Sequence, residues 1–580
     1  MFGQQQLAKF FLIIATCGVT TITTPAQSQD NAALYAQTSE INNLMVPYYA
    51  DKGSLTRFYF IENSPERRTR LEELYNNYLG KLPSVSFDAL PAGSRVDYIL
   101  FRRELQEQLR LLEEEKQQCS RLESWFPFAA RIYQVEKARR RGAKPDAGAI
   151  ATMFNEAATT IRDKEKLLAA DHQLDIYLLR RGAAITRGLT DALQSVNTFY
   201  DGYDPAYSWR VPAAYKQLDS ALKSYTALWK KKTTELPAGK DDGSGISGHP
   251  IGREELIRQL QYEMIPYSPE ELIAIANKEF AYCDAEMEKA SAEMGFGKNW
   301  KQALEKVKNS YVPEGEQPQL IMKLYNESVE FLKQHQLITI PPMAEETWRM
   351  IMMTPQRQLV NPFFTGGEEL SISYPTQDMS EPDKLMSMRG NNPHFSRATV
   401  HHELIAGHGL QEFMLNRYKT YRHFETPFWI EGWALYWEML LWDMKFPQSP
   451  EDCVGMLFWR MHRCARIIFS LNYHLGKWTP KQCVDFLINR VGHEPANAAG
   501  EVRRSFAGDY SPLYQVAYMI GGLQFMALKR ELVDGGKMTY QQYHDAVLKE
   551  NMLPVELIRA LLTGRNIDKD FKPGWRFYPL

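Results

Sequence analysis

The sequence predicts a mainly α protein: a large helical body with a small β element just ahead of a histidine-bearing helix, and a central cleft. Three observations predict it. Apolar residues recur at helical spacing between charges over long stretches. Helix start signals are well formed. Only one segment alternates with the period of a strand.

The elements follow in chain order. Arg95 to Gln118 carries Val96, Ile99, Leu100, Leu105, Leu109 and Leu112 among charges, the pattern of an amphipathic helix. Ala213 to Leu236 and Trp300 to Val307 continue that style. Leu236 to Gly252 is rich in Gly, Ser and Asp and reads as a loop or hinge. Ser268-Pro269-Glu270-Glu271 is a helix start, with a Ser cap, Pro in the first turn and Glu three residues after the cap. Pro341 to Asn392 mixes Pro, Gly and alternating apolar residues. Within it Leu370-Ser371-Ile372-Ser373-Tyr374 alternates as a half-buried strand does, either as an edge for an extended peptide or as a structural hairpin.

At 580 residues the chain is long enough for several domains, yet one large helical body fits the same length. A formal net charge of −2 gives no reason to expect nucleic acid or an anionic membrane as a partner. Lys9, the apolar run Phe10 to Ile22 and the small residues before Gln29 read as a secretory signal peptide over residues 1–28. That segment is too short and Thr-rich for a membrane span, so no transmembrane helix is expected after its removal. Lipid anchoring at Cys17 is the lesser alternative. The expected organisation is signal peptide (1–28), N-terminal helical region (29–240) and catalytic helical region (250–580). The exported chain keeps Cys119, Cys283, Cys453, Cys464 and Cys483, with no CxxC pair. Buried free thiols are expected in preference to a Cys453–Cys464 or Cys464–Cys483 bridge.

The run His401-His402-Glu403-Leu404-Ile405-Ala406-Gly407-His408 packs three imidazoles and a carboxylate together, and Glu431 follows in Glu-Gly-Trp-Ala-Leu-Tyr-Trp-Glu. Neutral imidazole and carboxylate are zinc ligands, and catalytic zinc sites use three protein ligands with a fourth position left for water. On a straight helix, His402 and His408 would face away from each other. His401 and His408 would share a face about 10.5 Å apart along the axis. Gly407 is the expected remedy, loosening or bulging the turn so that the segment acts as HExxH with two residues inserted. Glu431 opens a second apolar helix, and Glu438 lies on its same face, suited to orient an imidazole. The alternative for each is an ordinary polar position on an amphipathic helix.

At these residues the chain resembles the bacterial family catalogued as domain of unknown function 885, held to belong to the gluzincin-type zinc metallopeptidases. Family members carry His-Glu-x-x-Pro-Gly-His-His-Leu-Gln and, later, Glu-Gly-Trp-Ala-Leu-Tyr-x-Glu. His402, Glu403, Gly407, His408, Leu410 and Gln411 match the first, and Glu431 to Tyr436 with Glu438 match the second. Ala406 stands where Pro is usual, and Gly409 where the second paired histidine is usual. The segment Pro512 to Gly521 resembles a third family stretch, with Tyr518 at its tyrosine. The resemblance implies a metallopeptidase-like body with zinc on His402, His408 and Glu431. It implies Glu403 as general base and a peptide as substrate. Tyr510, Tyr514 and Tyr518 are spaced to line one helix face, and the Tyr518 hydroxyl is suited to stabilise an oxyanion. Core packing beside Gly521-Gly522 is the alternative for these tyrosines. Arg503 and Arg504 are suited to a substrate carboxylate. His394 is the one other histidine to test; His423, His462 and His474 read as packed or solvated. Two other readings stay open: an inactive exported binding protein that keeps the fold, and a zinc hydrolase of a non-peptide amide or ester.

Overall fold

The computed structural model describes residues 37–235, 242–358, 363–506 and 510–580. The signal peptide, Cys17 and residues 236–241 of the expected hinge lie outside them.

The helix signals read from sequence act as expected. Ser268 caps the helix Pro269–Glu293: its Oγ accepts from Glu271 N at 3.2 Å while the Glu271 carboxylate accepts from Ser268 N at 2.7 Å. The stretch from Arg95 lies in the helix Ala92–Leu122, with Val96, Ile99, Leu100 and Leu105 buried. Ala213 onward forms Pro212–Glu235, and Trp300 onward forms Trp300–Lys308.

The β element is small. Strands β1 (Arg349–Met352) and β2 (Glu369–Ile372) pair in parallel, with Met350 opposite Leu370. They do not make the hairpin weighed from sequence. Nor does β2 offer a free edge at Ser371. Its other flank is taken by Thr365, which exchanges bonds of 3.0 and 2.8 Å with the Ser371 backbone. The segment 363–367 therefore stands between β2 and the histidine-bearing helix.

The apolar interior divides into two cores, and the division does not follow the 29–240 and 250–580 regions. Ile41, Tyr48, Leu74 and Leu105 belong to the same core as the C-terminal helices, including Trp433, Tyr436 and Phe525. A second core is built from residues such as Leu122, Phe154, Leu193 and Trp229. The single helix Ala92–Leu122 runs from one core into the other. Cys119, Cys283, Cys453, Cys464 and Cys483 are all free thiols, so neither bridge forms. Among the described residues no helix is long and apolar enough to cross a membrane.

One close helix contact in the main core is made by glycine. The helices Pro427–Asp443 and Tyr514–Lys529 cross at Gly432 and Gly521; a Cβ on Gly521 would meet the Phe428 carbonyl at 2.2 Å. This approach brings Glu431 beside Tyr514 and Tyr518. Gly521→Ala is expected to cost at least the ~1–3 kcal/mol of an overpacked core, because the obstacle is backbone and not a rotatable side chain. Gly522→Ala, whose Cβ would meet only side chains at 3.4 Å, should cost clearly less. Denaturant melts of the two variants check the difference, and equal stabilities would contradict it.

Candidate metal centre

Asn392 caps the helix Pro393–Glu403 by accepting from His394 N and Phe395 N, each at 3.0 Å. That helix buries His401 and His402 and ends at Glu403. A new helix, His408–Leu415, starts after Gly407. The expected bulge is thus a full break: residues 404–407 leave the helix and turn back under it. Gly407 N donates to His401 O at 2.8 Å, and a Cβ on Gly407 would lie 1.8 Å from His402 O. The fit needs the missing side chain, since the backbone there has an ordinary negative φ of −82°.

The break lets His408 turn toward His402. Together with Glu431 they form a group in which one ligand atom from each lies within 4.8 Å of the others. His402 Nε2 and His408 Nε2 stand 3.7 and 3.3 Å from Glu431 Oε2. His401 is left out. Its ring packs on Phe446, neither nitrogen has a partner among the described residues, and burial holds it neutral by lowering its pKa to about 3.

Each member of the group is held from behind. Glu438 Oε1 lies 2.7 Å from His402 Nδ1 and accepts from Arg463 Nη2 at 3.1 Å. Gln411 Oε1 lies 3.2 Å from His408 Nδ1, while its Nε2 donates to the carbonyls of Trp429 and Ile430 on the Glu431 helix. The Tyr514 hydroxyl donates to Glu431 Oε1. Trp433 Nε1 donates to Ala406 O at 2.9 Å, tying the break to the same helix. Tyr514 and Gln411 are thus supporting residues to which sequence reasoning gave no role. A Cβ on Gly409 would meet the backbone of Leu404 and Gly367, and Gly409 is not part of the cleft lining.

The electrostatics follow from this packing. Burial alone would lower both histidine pKa values, but Glu431 and its neighbouring carboxylates outweigh it. They raise His402 and bring His408 to about 9. Burial pushes Glu431 up, yet the two imidazoles bring it well below the usual carboxylate range. Burial likewise acts against Glu438, and Arg463 with His402 brings it down to about 2.

The group opens on a cleft of about 510 Å³. Glu403 lies on its wall and accepts from Gly366 N at 2.5 Å, while Gly367 N donates to the Glu403 carbonyl at 3.2 Å. Tyr518 faces the cleft with its ring nearly parallel to that of His402, centroids 6.3 Å apart. Burial, then Glu431, raises its pKa well above the ordinary tyrosine value, so the hydroxyl keeps its proton. Tyr510 stacks on Tyr514 at 4.3 Å, and Tyr514 meets Tyr518 edge-on, as the four-residue spacing predicts.

Other expectations fall outside the site. His394 binds Asp452 Oδ1 at 2.7 Å and does not join the group. His423 is exposed against Tyr49, and His462 is bonded to His493 at 2.9 Å. Arg503 is exposed, and of the two arginines only Arg504 lines the cleft. It is joined there by Arg463 and Arg466, which sequence reasoning missed. The available signal was two arginines inside the run Met461 to Ile468, which is otherwise apolar but for His462.

The family model described as a bacterial protein of unknown function (DUF885) matches residues 60–562. No curated protein matches the chain. A candidate lipoprotein of unknown function from Shewanella oneidensis has a similar structure. Its TM-score is 0.65 at 16% identity, over 91% of this chain and 100% of that one. A candidate lipoprotein from Colwellia psychrerythraea gives 0.58 at 15%, over 91% and 99%. At such identities the likeness shows the helical fold alone.

Proposed function

Because this chain belongs to the bacterial DUF885 family and gathers His402, His408 and Glu431 around one point, we propose that it is an exported zinc-dependent metallopeptidase of short peptides. One observation carries the reading. Glu431 Oε2 is buried and, among the described residues, makes no hydrogen bond, although two imidazole nitrogens face it at 3.3 and 3.7 Å. Ligands at the usual ~2.1 Å from a tetrahedral zinc lie about 3.4 Å apart, so the donor set and its spacing suit that ion.

Bound zinc would supply a water of near-neutral pKa and polarise the scissile carbonyl. The chain's own residues do the rest. Glu403 takes the proton from the attacking water and returns it to the leaving amine as the C–N bond breaks. Tyr518 donates its hydroxyl hydrogen bond to the carbonyl oxygen as negative charge develops there. Glu438 and Gln411 hold the two imidazoles in the orientation that presents Nε2. A cleft of about 510 Å³ suits a peptide of a few residues better than a folded protein. Export rests on the N-terminal sequence, and the description of the two structural neighbours as candidate lipoproteins supports it.

The deciding experiment digests an undirected peptide library with the purified protein, with and without a chelator, alongside its metal content. Chelator-sensitive cleavage with one zinc per chain is expected; no cleavage by a zinc-loaded protein sinks the reading in favour of an inactive binding protein. Cleavage confined to a parallel ester library would leave the non-peptide hydrolase. Zinc uptake has its own signature. A ligating imidazole must be neutral, whereas metal-free His408, with its pKa at about 9, is protonated at pH 7. Binding at pH 7 should release at least one proton, and affinity should climb with pH before levelling above about 9. Calorimetry in buffers of different ionisation enthalpy measures this, and zero release contradicts the assignment.

A further inference from the structure

Beyond Tyr518 the cleft wall carries three arginines, and among the described residues two of them share one carboxylate. Arg463 has Glu438 as its own carboxylate partner. Arg466 and Arg504 share one: Glu501 accepts from Arg466 Nε at 2.7 Å and lies 2.5 Å from Arg504 Nη2. Burial acts against Glu501, but the two arginines bring it down to about 2, so it is a single full negative charge between two positive ones. Gln515 Nε2 donates to the same carboxylate at 2.8 Å. His462 and His493 lie behind; burial, then Arg466, keeps His462 neutral, and burial outweighs the pull of Glu501 to keep His493 neutral. Arg466 is 2% exposed, and its Nη1 has no hydrogen-bond partner among the described residues; the same holds for Arg504 Nε. Both guanidinium groups line the cleft, so an anion there would offset the positive charge that one shared carboxylate leaves on them.

Its position relative to the metal group says which anion. The Arg466 guanidinium lies 4.3 Å from the centre of the Tyr518 ring, and that centre lies 6.3 Å from the His402 imidazole, which keeps the guanidinium within about 11 Å of the metal group. An extended peptide advances ~3.3–3.6 Å per residue, so one or two residues past the scissile bond cover this offset. We propose that Arg466 and Arg504 form a subsite for the free α-carboxylate of the substrate, making the protein an exopeptidase that removes one or two residues from the carboxyl end. This rests on the peptidase reading above.

The test uses the zinc-loaded full chain and three peptides identical but for their ends. One has a free carboxyl terminus, one is amidated, and one is amidated with a glutamate as its last residue. The free acid is expected to show at least a hundredfold higher kcat/KM than the amide, with release of a single residue or a dipeptide by mass spectrometry. Equal rates on free acid and amide overturn the subsite, as does full recovery by the glutamate side chain. Arg504→Gln should narrow the free-acid preference by raising KM with little change in kcat, and Arg504→Lys should partly restore it. A fall in kcat alone would mean a structural role and overturn the assignment. If none of the peptides is cut, the peptidase reading fails, and calorimetry with zinc-loaded Glu403→Gln decides the subsite separately. Binding of the free acid at least tenfold tighter than the amide supports it, and equal binding refutes it.

Discussion

Glu403→Gln is expected to lower peptide hydrolysis by about 10²–10⁴-fold, the usual contribution of a positioned general base, while zinc content stays unchanged. The structure separates these two outcomes. Glu403 is not one of the three grouped residues, so the set of side chains that would hold the metal survives the change. Its other contacts survive the change. Gly366 N can donate to the amide oxygen as it does to the carboxylate, and Gly367 N bonds the main-chain carbonyl, which is untouched. The cleft wall at 363–367 therefore stays docked, and the lost function is proton transfer alone. Activity and bound zinc measured on one preparation check this. Full turnover by the Gln variant, or loss of zinc along with turnover, contradicts the role given to Glu403.

Much of this site is legible in sequence because its parts are local. The two histidines, Glu403 and Gly407 fall within seven residues, and Glu431 with Glu438 repeats helical spacing in one short run. The Ser268 cap, the amphipathic stretch from Arg95 and the tyrosine series are legible for the same reason, since each is read within one or two turns. What depends on long-range packing is not. Gly366 meets Glu403 only because 363–367 is held against β2. Arg463 and Arg466 look from sequence like charges misplaced in an apolar helix, until Glu438 and Glu501 arrive from other helices. The two cores are illegible too, because an amphipathic period shows which face of Ala92–Leu122 is buried but not that its ends enter different interiors. The expected bulge became a break because Gly407 must sit almost against His402 O, a requirement that helical period alone does not express.

That last contact gives the second large effect. Gly407→Ala would place a methyl group 1.8 Å from the His402 carbonyl oxygen and 2.6 Å from that of His401. Both obstacles are backbone of the helix Pro393–Glu403, and that helix is itself buried, so no rotamer change relieves them. The 404–407 segment must move away, breaking the 2.8 Å bond from Gly407 N to His401 O and carrying His408 with it. A displacement near 1 Å is enough to lower catalytic rates about 100-fold where geometry is held tightly. The ligand atoms have little slack, because Gln411 ties His408 to Trp429 and Ile430 while Glu438 holds His402 in place. Zinc affinity and kcat/KM are therefore both expected to fall by at least ~100-fold, unlike in the Glu403 variant, where only turnover falls. Gly409→Ala is the control. Its Cβ would meet backbone at 3.1 and 3.2 Å, tight but open to relaxation by tenths of an ångström, and Gly409 does not line the cleft. Competition for zinc with a chromophoric chelator ranks the two variants. Wild-type affinity in folded Gly407→Ala would mean that the helix break does not set the spacing of the two imidazoles.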